Sequence, residues 1–410
     1  VKVTVIGAGL AGLSAAVELA SRGAMVTVLE AAAQAGGRCR SYVDPVLEMT
    51  LDNGNHLVLS GNDATFDYLR TIGSAERLVG PDEAVLDFHD LTTAERWTIR
   101  PNASALAWWV LSPDRRVPGT RAADYLALAK VLLPQGGRRI DEAIACQGAL
   151  WDRLLEPFLL AALNTEAKSG SAALAGAVIA ESLARGGNAY RPRIAHPNLS
   201  AAFIEPALAY LATRGATVRL SAPVRGLAFD GDRVSGIVTA EGAAPVAAGE
   251  AVILATPPWI SQSLAPGLEA PDEFNAIVNG HFRFTPPPGL APIVGVIGGA
   301  AQWIFAFDDR LSVTVSAAGD LADQDREDLA RLFWRDIAAV HGLPGELPPW
   351  RIIKERRATF AATPAQNAKR PPAATAWRNL ALAGDWTATG LPATIEGAIR
   401  SGKTAAALVG

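Results

Sequence analysis

The chain has 410 residues, enough for two domains, and half of them are hydrophobic while only 19% are charged. A net charge of −4 argues against a general nucleic-acid binder. Its two cysteines, Cys39 and Cys146, show no metal-ligand spacing and no disulfide framework, and its five scattered histidines argue against a structural zinc site. No apolar run reaches the roughly 18 residues of a spanning helix. No basic stretch with a cleavage site opens the chain, so a cytoplasmic protein is expected.

Val3-Thr4-Val5-Ile6 reads as a short buried strand. Gly7-Ala8-Gly9-Leu10-Ala11-Gly12 follows at once, and Leu13, Ala16, Val17 and Ala20 then recur at helical spacing up to Gly23. Met25 to Leu29 is a second apolar strand, ending on Glu30. Gly7 allows a tight turn, Gly9 lets a pyrophosphate approach the backbone, and Gly12 lets helix and strand pack closely. The helix N-terminus at Leu10 and Ala11 offers free N–H groups to phosphates, and Glu30 can accept hydrogen bonds from a ribose. A lone glycine turn is a weak signal; strand, helix, strand and acid in this order point to a dinucleotide.

Gly36-Gly37-Arg38-Cys39-Arg40-Ser41 comes next. Two glycines suit a second backbone approach to the same pyrophosphate, with Arg38 supplying charge. The pair of elements resembles the FAD-binding signature of the amine oxidase and carotenoid desaturase superfamily, with Gln34 a departure where many relatives have arginine. The resemblance implies an α/β fold: a Rossmann-type FAD-binding domain (glutathione-reductase/amine-oxidase-like) with an inserted mixed α+β substrate domain. The expected division is 1–85, 200–265 and 375–410 for FAD, and 86–199 and 266–374 for substrate.

Leu51-Asp52-Asn53-Gly54-Asn55-His56-Leu57 is a polar bend between apolar stretches. In the superfamily this position folds over the flavin ring, which would bring Asn53, Gly54, Asn55 and His56 to the isoalloxazine. The alternative is a polar turn held by its own asparagines. Ala64 to Ile72 reads as a helix closed by Gly73.

From Leu86 to Ala195 helical patterns dominate. Trp108 and Trp109 precede Arg115, Arg116 and Arg121, and Tyr125 to Leu133 reads as an apolar helix. Paired tryptophans beside cations suit a membrane interface; the alternative is a tryptophan-lined core or cavity. Trp151 to Ser171 and Ala172 to Leu183 read as further helices, and Gly186 to Pro197 as a stiff loop.

Strands return after the helix Ala201–Arg214: Thr217 to Leu220, a hairpin turning at Asp230-Gly231-Asp232, and Ala251 to Ala255 before Thr256-Pro257-Pro258. Resemblance adds an adenine contact around Val224. Alternation places Asn279, His281 and Arg283 on one face of a strand, either facing the flavin or simply solvated. Amine oxidases carry a lysine near the flavin at about this point; Asn279 stands there instead, which argues against amine oxidation. Arg326 to His341 is an amphipathic helix, and Lys354 to Ala376 reads as a basic, proline-containing loop. Leu380 to Ala383 is a buried strand ending in Gly384-Asp385, and a helix begins near Ala393. Asp385 can bind a ribitol or pyrophosphate hydroxyl. The helix start at Thr394-Ile395 can stabilise negative charge on reduced flavin.

The stretches Leu51–Leu57, Glu156-Pro157-Phe158 to Leu163-Asn164-Thr165, and Gly384-Asp385-Trp386-Thr387 with Leu391–Ala398 are similar to those of the squalene-associated FAD-dependent desaturases, the hydroxysqualene dehydroxylase family. Asn55 replaces a frequent glutamine. The resemblance implies reductive conversion of hydroxysqualene to squalene in bacterial hopanoid synthesis. Once its oxygen is protonated, the allylic C30 alcohol can lose water, and the cation takes hydride from N5 of reduced FAD. His56 and His281 are the candidate proton donors, with Asn279 and Asn164 as orienting groups. A carotenoid-type desaturase running hydride transfer the other way, and a non-catalytic flavin or lipid carrier, are the alternative readings. The implied partner is a small-molecule C30 isoprenoid, reached by peripheral contact with the inner membrane or by hand-over from prenyl synthases. No nucleic acid and no metal are expected.

Overall fold

The computed structural model describes all residues, Val1–Gly410. Its first sheet has five strands, in the order Thr217–Arg219, Met25–Leu29, Lys2–Ile6, Glu250–Leu254, Leu380–Leu382, and every pairing is parallel. Val3, Val5, Val26, Val28, Val252, Ile253 and Leu382 are buried, as expected for strands covered on both faces. The helix Leu10–Ser21 crosses the C-terminal helix Ile395–Val409 closely enough that Ser14 Oγ donates to the Ile399 carbonyl at 3.0 Å. The first and last elements of the chain therefore share one layer.

The second sheet is mixed and seven-stranded, in the order Trp350–Phe360, Phe274–Arg283, Arg310–Val315, Trp303–Ala306, Ile293–Ile297, Leu86–Asp90, Arg96–Ile99. One face packs Val278, Phe282, Ile304, Leu311 and Val313 against Phe333, Trp334 and Ile337 of the helix Arg326–His341. The other face joins Phe88, Trp97, Trp303 and Phe305 to a core that includes Trp151, Leu154, Leu159 and Tyr190 from the helical segment. A small third sheet, in which Pro192–Ala195 pairs with both Val58–Leu59 and Leu78–Val79, stitches that segment to the chain around the first sheet.

Several elements differ from expectation. The strand Trp350–Phe360 takes in the first part of the expected loop Lys354–Ala376: its Lys354, Glu355, Arg356 and Arg357 sit on the sheet edge, where charge is tolerated and discourages further pairing. The segment after Leu86 opens with a hairpin, Leu86–Asp90 with Arg96–Ile99, before any helix. The apolar helix covers only Leu126–Val131, leaving Leu132 and Leu133 outside it. The helix through Phe158 stops at Leu163 because Asn164 takes a left-handed φ of 46°. Helix Glu205–Thr213 is preceded by a wider, π-type turn over Ser200–Ile204. The C-terminal helix begins at Ile395, with Thr394 Oγ1 accepting from Gly397 N at 3.0 Å.

Candidate active site

The two glycine turns dock on each other. Gly36 N donates to the Ala8 carbonyl at 2.8 Å, and Gly7 N donates to Leu29 O at 2.7 Å. A Cβ on Gly12 would fall 1.9 Å from the Gly7 carbonyl, so only glycine lets helix and strand meet here. Gly9 differs: its φ of −76° is ordinary, and nothing lies within 4 Å of where its Cβ would be. The chain itself does not require glycine there, whereas a pyrophosphate pressed against the backbone does. No side chain caps the helix at Leu10 and Ala11, so its first N–H groups remain for an anion. The Glu30 carboxylate accepts from Ala8 N at 2.7 Å and Ala32 N at 2.8 Å, locking the end of its strand to the turn. Val224 lies outside any strand, just after Ala222, whose N–H donates to the Glu30 carbonyl at 2.8 Å. These residues fit a bound dinucleotide.

The distant ends of the chain meet at Arg38. Its Nη2 donates to both oxygens of Asp385 at 2.7 and 2.8 Å. Partial desolvation of this half-exposed side chain works against the guanidinium charge, but Asp385 outweighs it and raises the Arg38 pKa. Two further residues here escaped the sequence reading. Arg370, in the stretch taken as loop, is buried and donates to the Asp385 carbonyl at 3.0 Å and to Thr389 Oγ1 at 2.8 Å. Its burial pushes its pKa down to about 10. Glu396, also buried, accepts from the N–H groups of Ala64 and Thr65 at 3.1 and 2.8 Å, capping the helix Asp63–Ile72 from another helix. A lone arginine before Pro371-Pro372 was the only trace of Arg370, and Glu396 sat unremarked within its motif.

The bend after Asp52 reaches the second sheet. Asn53 is buried and its N–H donates to the Arg40 carbonyl. A Cβ on Gly54 would sit 3.0 Å from Asn279 Nδ2, so its absence leaves room for that amide. Asn55 Nδ2 donates to Thr314 Oγ1 at 3.0 Å, and Thr314 in turn donates to Asn279 Oδ1 at 2.8 Å. That polarity leaves the Asn279 amide N–H₂ as the donor facing Gly54. One residue pair along, His281 Nδ1 and Ser312 Oγ lie 2.9 Å apart. Asn279 and His281 are 2% and 0% exposed, which rules out a solvated strand face for them; Arg283, beyond them, is exposed.

The two histidines differ. His281 is enclosed, its Nε2 lacks a partner, and burial with the nearby Arg310 charge lowers its pKa to about 3. His56 is half-buried, and burial with the Arg38 charge lowers its pKa to about 4. Both imidazoles are neutral at pH 7. Asn164 stands apart: its Nδ2 donates to Thr359 Oγ1 at 2.9 Å and Asn275 O at 3.2 Å, and its Oδ1 accepts from Ala317 N at 2.7 Å. Asn275 lies four residues before Asn279, roughly 13 Å along the strand.

Beside the polar pairs the same face turns aromatic. Trp303 pairs with Thr314, and Phe305 with Ser312. Phe88 stacks on Trp97 at 5.5 Å and meets Trp303 edge-on at 5.7 Å. Near Arg310 a cavity of about 320 Å³ is walled by Val79, Pro192, Ile194, Ile293 and Phe307. The arrangement offers a few amide and imidazole groups at the border of a buried aromatic layer.

The family model for flavin containing amine oxidoreductases matches residues 10–410. The chain belongs to that family. Within this flavoprotein family it is 52% identical to the hydroxysqualene dehydroxylase of Sinorhizobium fredii, over 99% of this chain and 97% of that one. It is likewise 52% identical to the hydroxysqualene dehydroxylase of Rhodopseudomonas palustris, over 99% and 98%. Cyclohexylamine oxidase from Brevibacterium oxydans superposes with a TM-score of 0.72 over 100% of this chain and 98% of that one, at 15% identity, and so shares the fold. The family and the dinucleotide turn together make the cofactor of this oxidoreductase FAD.

Proposed function

We propose that this flavoenzyme reductively dehydroxylates hydroxysqualene to squalene. The observation that carries the reading is the 52% identity, over nearly the whole chain, to proteins of that activity. Reduced FAD, when bound, supplies the hydride. The residues that would hold it are Gly7, Gly9, Leu10, Ala11, Gly12, Glu30, Gly36, Gly37, Arg38, Val224, Gly384, Asp385, Thr394 and Ile395, with Asn53, Gly54, Asn55 and His56 on the side facing the second sheet. Every strand of the parallel sheet falls in 1–85, 200–265 or 375–410, and every strand of the seven-stranded sheet in 86–199 or 266–374. This supports assigning the first set to the cofactor and the second to the substrate.

Asn279, held by Thr314, donates its amide N–H to the leaving oxygen. His56, half-buried where His281 is enclosed, takes a proton from solvent and passes it to that oxygen, its low pKa of about 4 making the transient imidazolium a strong acid; His281 is sealed against Ser312 and shapes the floor. Asn164 acts as a positioning residue, fixing the strand that carries Asn279. The aromatic face keeps water from the cationic carbon. A C30 alcohol dissolves in membranes, so a membrane surface is the source of substrate for this cytoplasmic protein; hand-over from a prenyl synthase is the competing route.

The test is anaerobic. Flavin reoxidation with one squalene formed per flavin, on adding hydroxysqualene to reduced protein, is expected. Bleaching of oxidised flavin by a polyene instead would make it a desaturase. His56→Ala is expected to slow single turnover by about 100-fold, and His281→Ala to affect stability more than rate. If both keep the wild-type rate, the proton comes from elsewhere.

A further inference from the structure

The stretch Ser104–Leu133 leaves six large apolar side chains in solvent: Leu106 at 79% exposure, Trp108 at 46%, Leu111 at 69%, Leu126 at 64%, Leu132 at 43% and Leu133 at 61%. We propose that this surface docks on an anionic membrane and admits the lipid substrate from the bilayer. The entry step rests on the substrate being the C30 alcohol proposed above; the docking does not.

Neighbouring residues face opposite ways. Trp108 is out while Trp109 is 2% exposed and edge-on to the Tyr125 ring at 5.2 Å. Leu126 is out while Tyr125 is buried, and Leu132 and Leu133 are out while Val131 is buried. Trp109, Tyr125 and Val131 belong to the same core as Phe88, Trp97 and Trp303. The exposed surface thus lies on the outside of the same core that backs the aromatic face beside Asn279.

The charge around the patch is complementary to an anionic surface. Arg115, Arg116, Arg121 and Lys130 face only Asp114 and Asp124 in this stretch, although the chain as a whole is acidic at −4. Arg115 lies over the Trp108 ring at 5.0 Å and donates to the Arg100 carbonyl, and Arg116 donates to the Val110 carbonyl. Neither meets a carboxylate. A second copy of this chain would bring like charges together across a two-fold contact, which disfavours that occupant. No helix is long and apolar enough to cross a membrane, so the leucines would enter only the interface.

The experiment uses the FAD-loaded protein with phosphatidylcholine vesicles, with and without phosphatidylglycerol, read by co-sedimentation. Wild type is expected to sediment with the anionic vesicles and to be released by salt. Combining Leu106→Ser, Leu111→Ser and Leu133→Ser is expected to cut the bound fraction about tenfold, with flavin absorbance and melting temperature retained. Wild type left in the supernatant, or a variant that binds equally, overturns docking. The variant is also expected to turn over detergent-dispersed hydroxysqualene normally and vesicle-embedded hydroxysqualene slowly; equal rates from vesicles overturn the entry route. Vesicle binding without turnover of either form leaves the docking surface standing and removes the substrate assignment.

Discussion

The glycine turns of the parallel sheet and the polar pairs of the seven-stranded sheet solve opposite problems. At the turns, side chains are absent so that backbone can approach backbone, and Gly9 leaves space that the protein does not fill. On the second sheet, Asn279, His281, Ser312 and Thr314 are polar groups buried in an apolar layer, tolerable because they bond one another. The first region is built for affinity to a charged cofactor. The second is built for a few directional contacts beside a dry surface. A substitution should therefore fail differently in each.

The sharpest break is Gly12→Val. With its Cβ position 1.9 Å from the Gly7 carbonyl, the variant is expected to lose FAD and more than about 4 kcal/mol of stability. Flavin absorbance after desalting and a melting curve decide it; a normally loaded, normally stable variant would contradict the packing described.

Asp385→Ala comes next. It strands Arg38, while Arg370 keeps its bond to the backbone carbonyl at that position. Arg38 is half exposed, so solvent screening trims the cost to about 2 kcal/mol. The double variant with Arg38→Ala should cost less than the two single changes added together.

Asn164→Ala removes three hydrogen bonds and a left-handed cap residue, for a loss of about 2 kcal/mol. Turnover per bound flavin should fall severalfold, because the strand that carries Asn279 loses an anchor. A rate loss without a stability loss would move Asn164 into the chemistry.

His281 gives a pH signature. Its folded pKa of about 3 lies below the roughly 6.5 of an unfolded imidazole, so the unfolded chain takes up the proton first. The stability this adds is whole above about pH 6.5 and is lost as pH falls toward 3. His281→Gln should flatten that part of the melting-temperature profile between pH 7 and 5. An unchanged profile would mean the ring is not sealed.

The smallest effect belongs to the surface. Leu106→Ser should change stability by no more than about 0.5 kcal/mol, which is why vesicle binding rather than melting is its readout.

The cofactor region was open to sequence reading because its chemistry lies in local spacing: Gly7 to Glu30 is one contiguous unit, and each residue acts near its neighbours in the chain. The second region was not, for nameable reasons. Trp108 and Trp109 look alike in sequence, yet the short turn Trp108–Leu111 sends one into solvent and the other into the core. The charges of Trp350–Phe360 suggested a loop because an edge strand keeps water on one side. The left-handed Asn164 depends on Thr359, 195 residues along the chain, and the buried Arg370 on Asp385, 15 residues along, and no local pattern encodes either pairing. The alternation that put Asn279 and His281 on one face was legible; their burial was not.

The crossing of the first helix with the last has a consequence for synthesis. Strand Lys2–Ile6 is made long before Leu380–Leu382, the helix Ile395–Val409 and the Asp385 partner of Arg38. Glu396, which caps the helix at Asp63, arrives with them. Until they are made, strand Glu250–Leu254 lacks its outer neighbour and the helix Leu10–Ser21 lacks the helix it crosses. The flavin site is thus complete only once these elements have been made, and a chain cut before Leu380 would expose the edge of a half-built sheet to its neighbours.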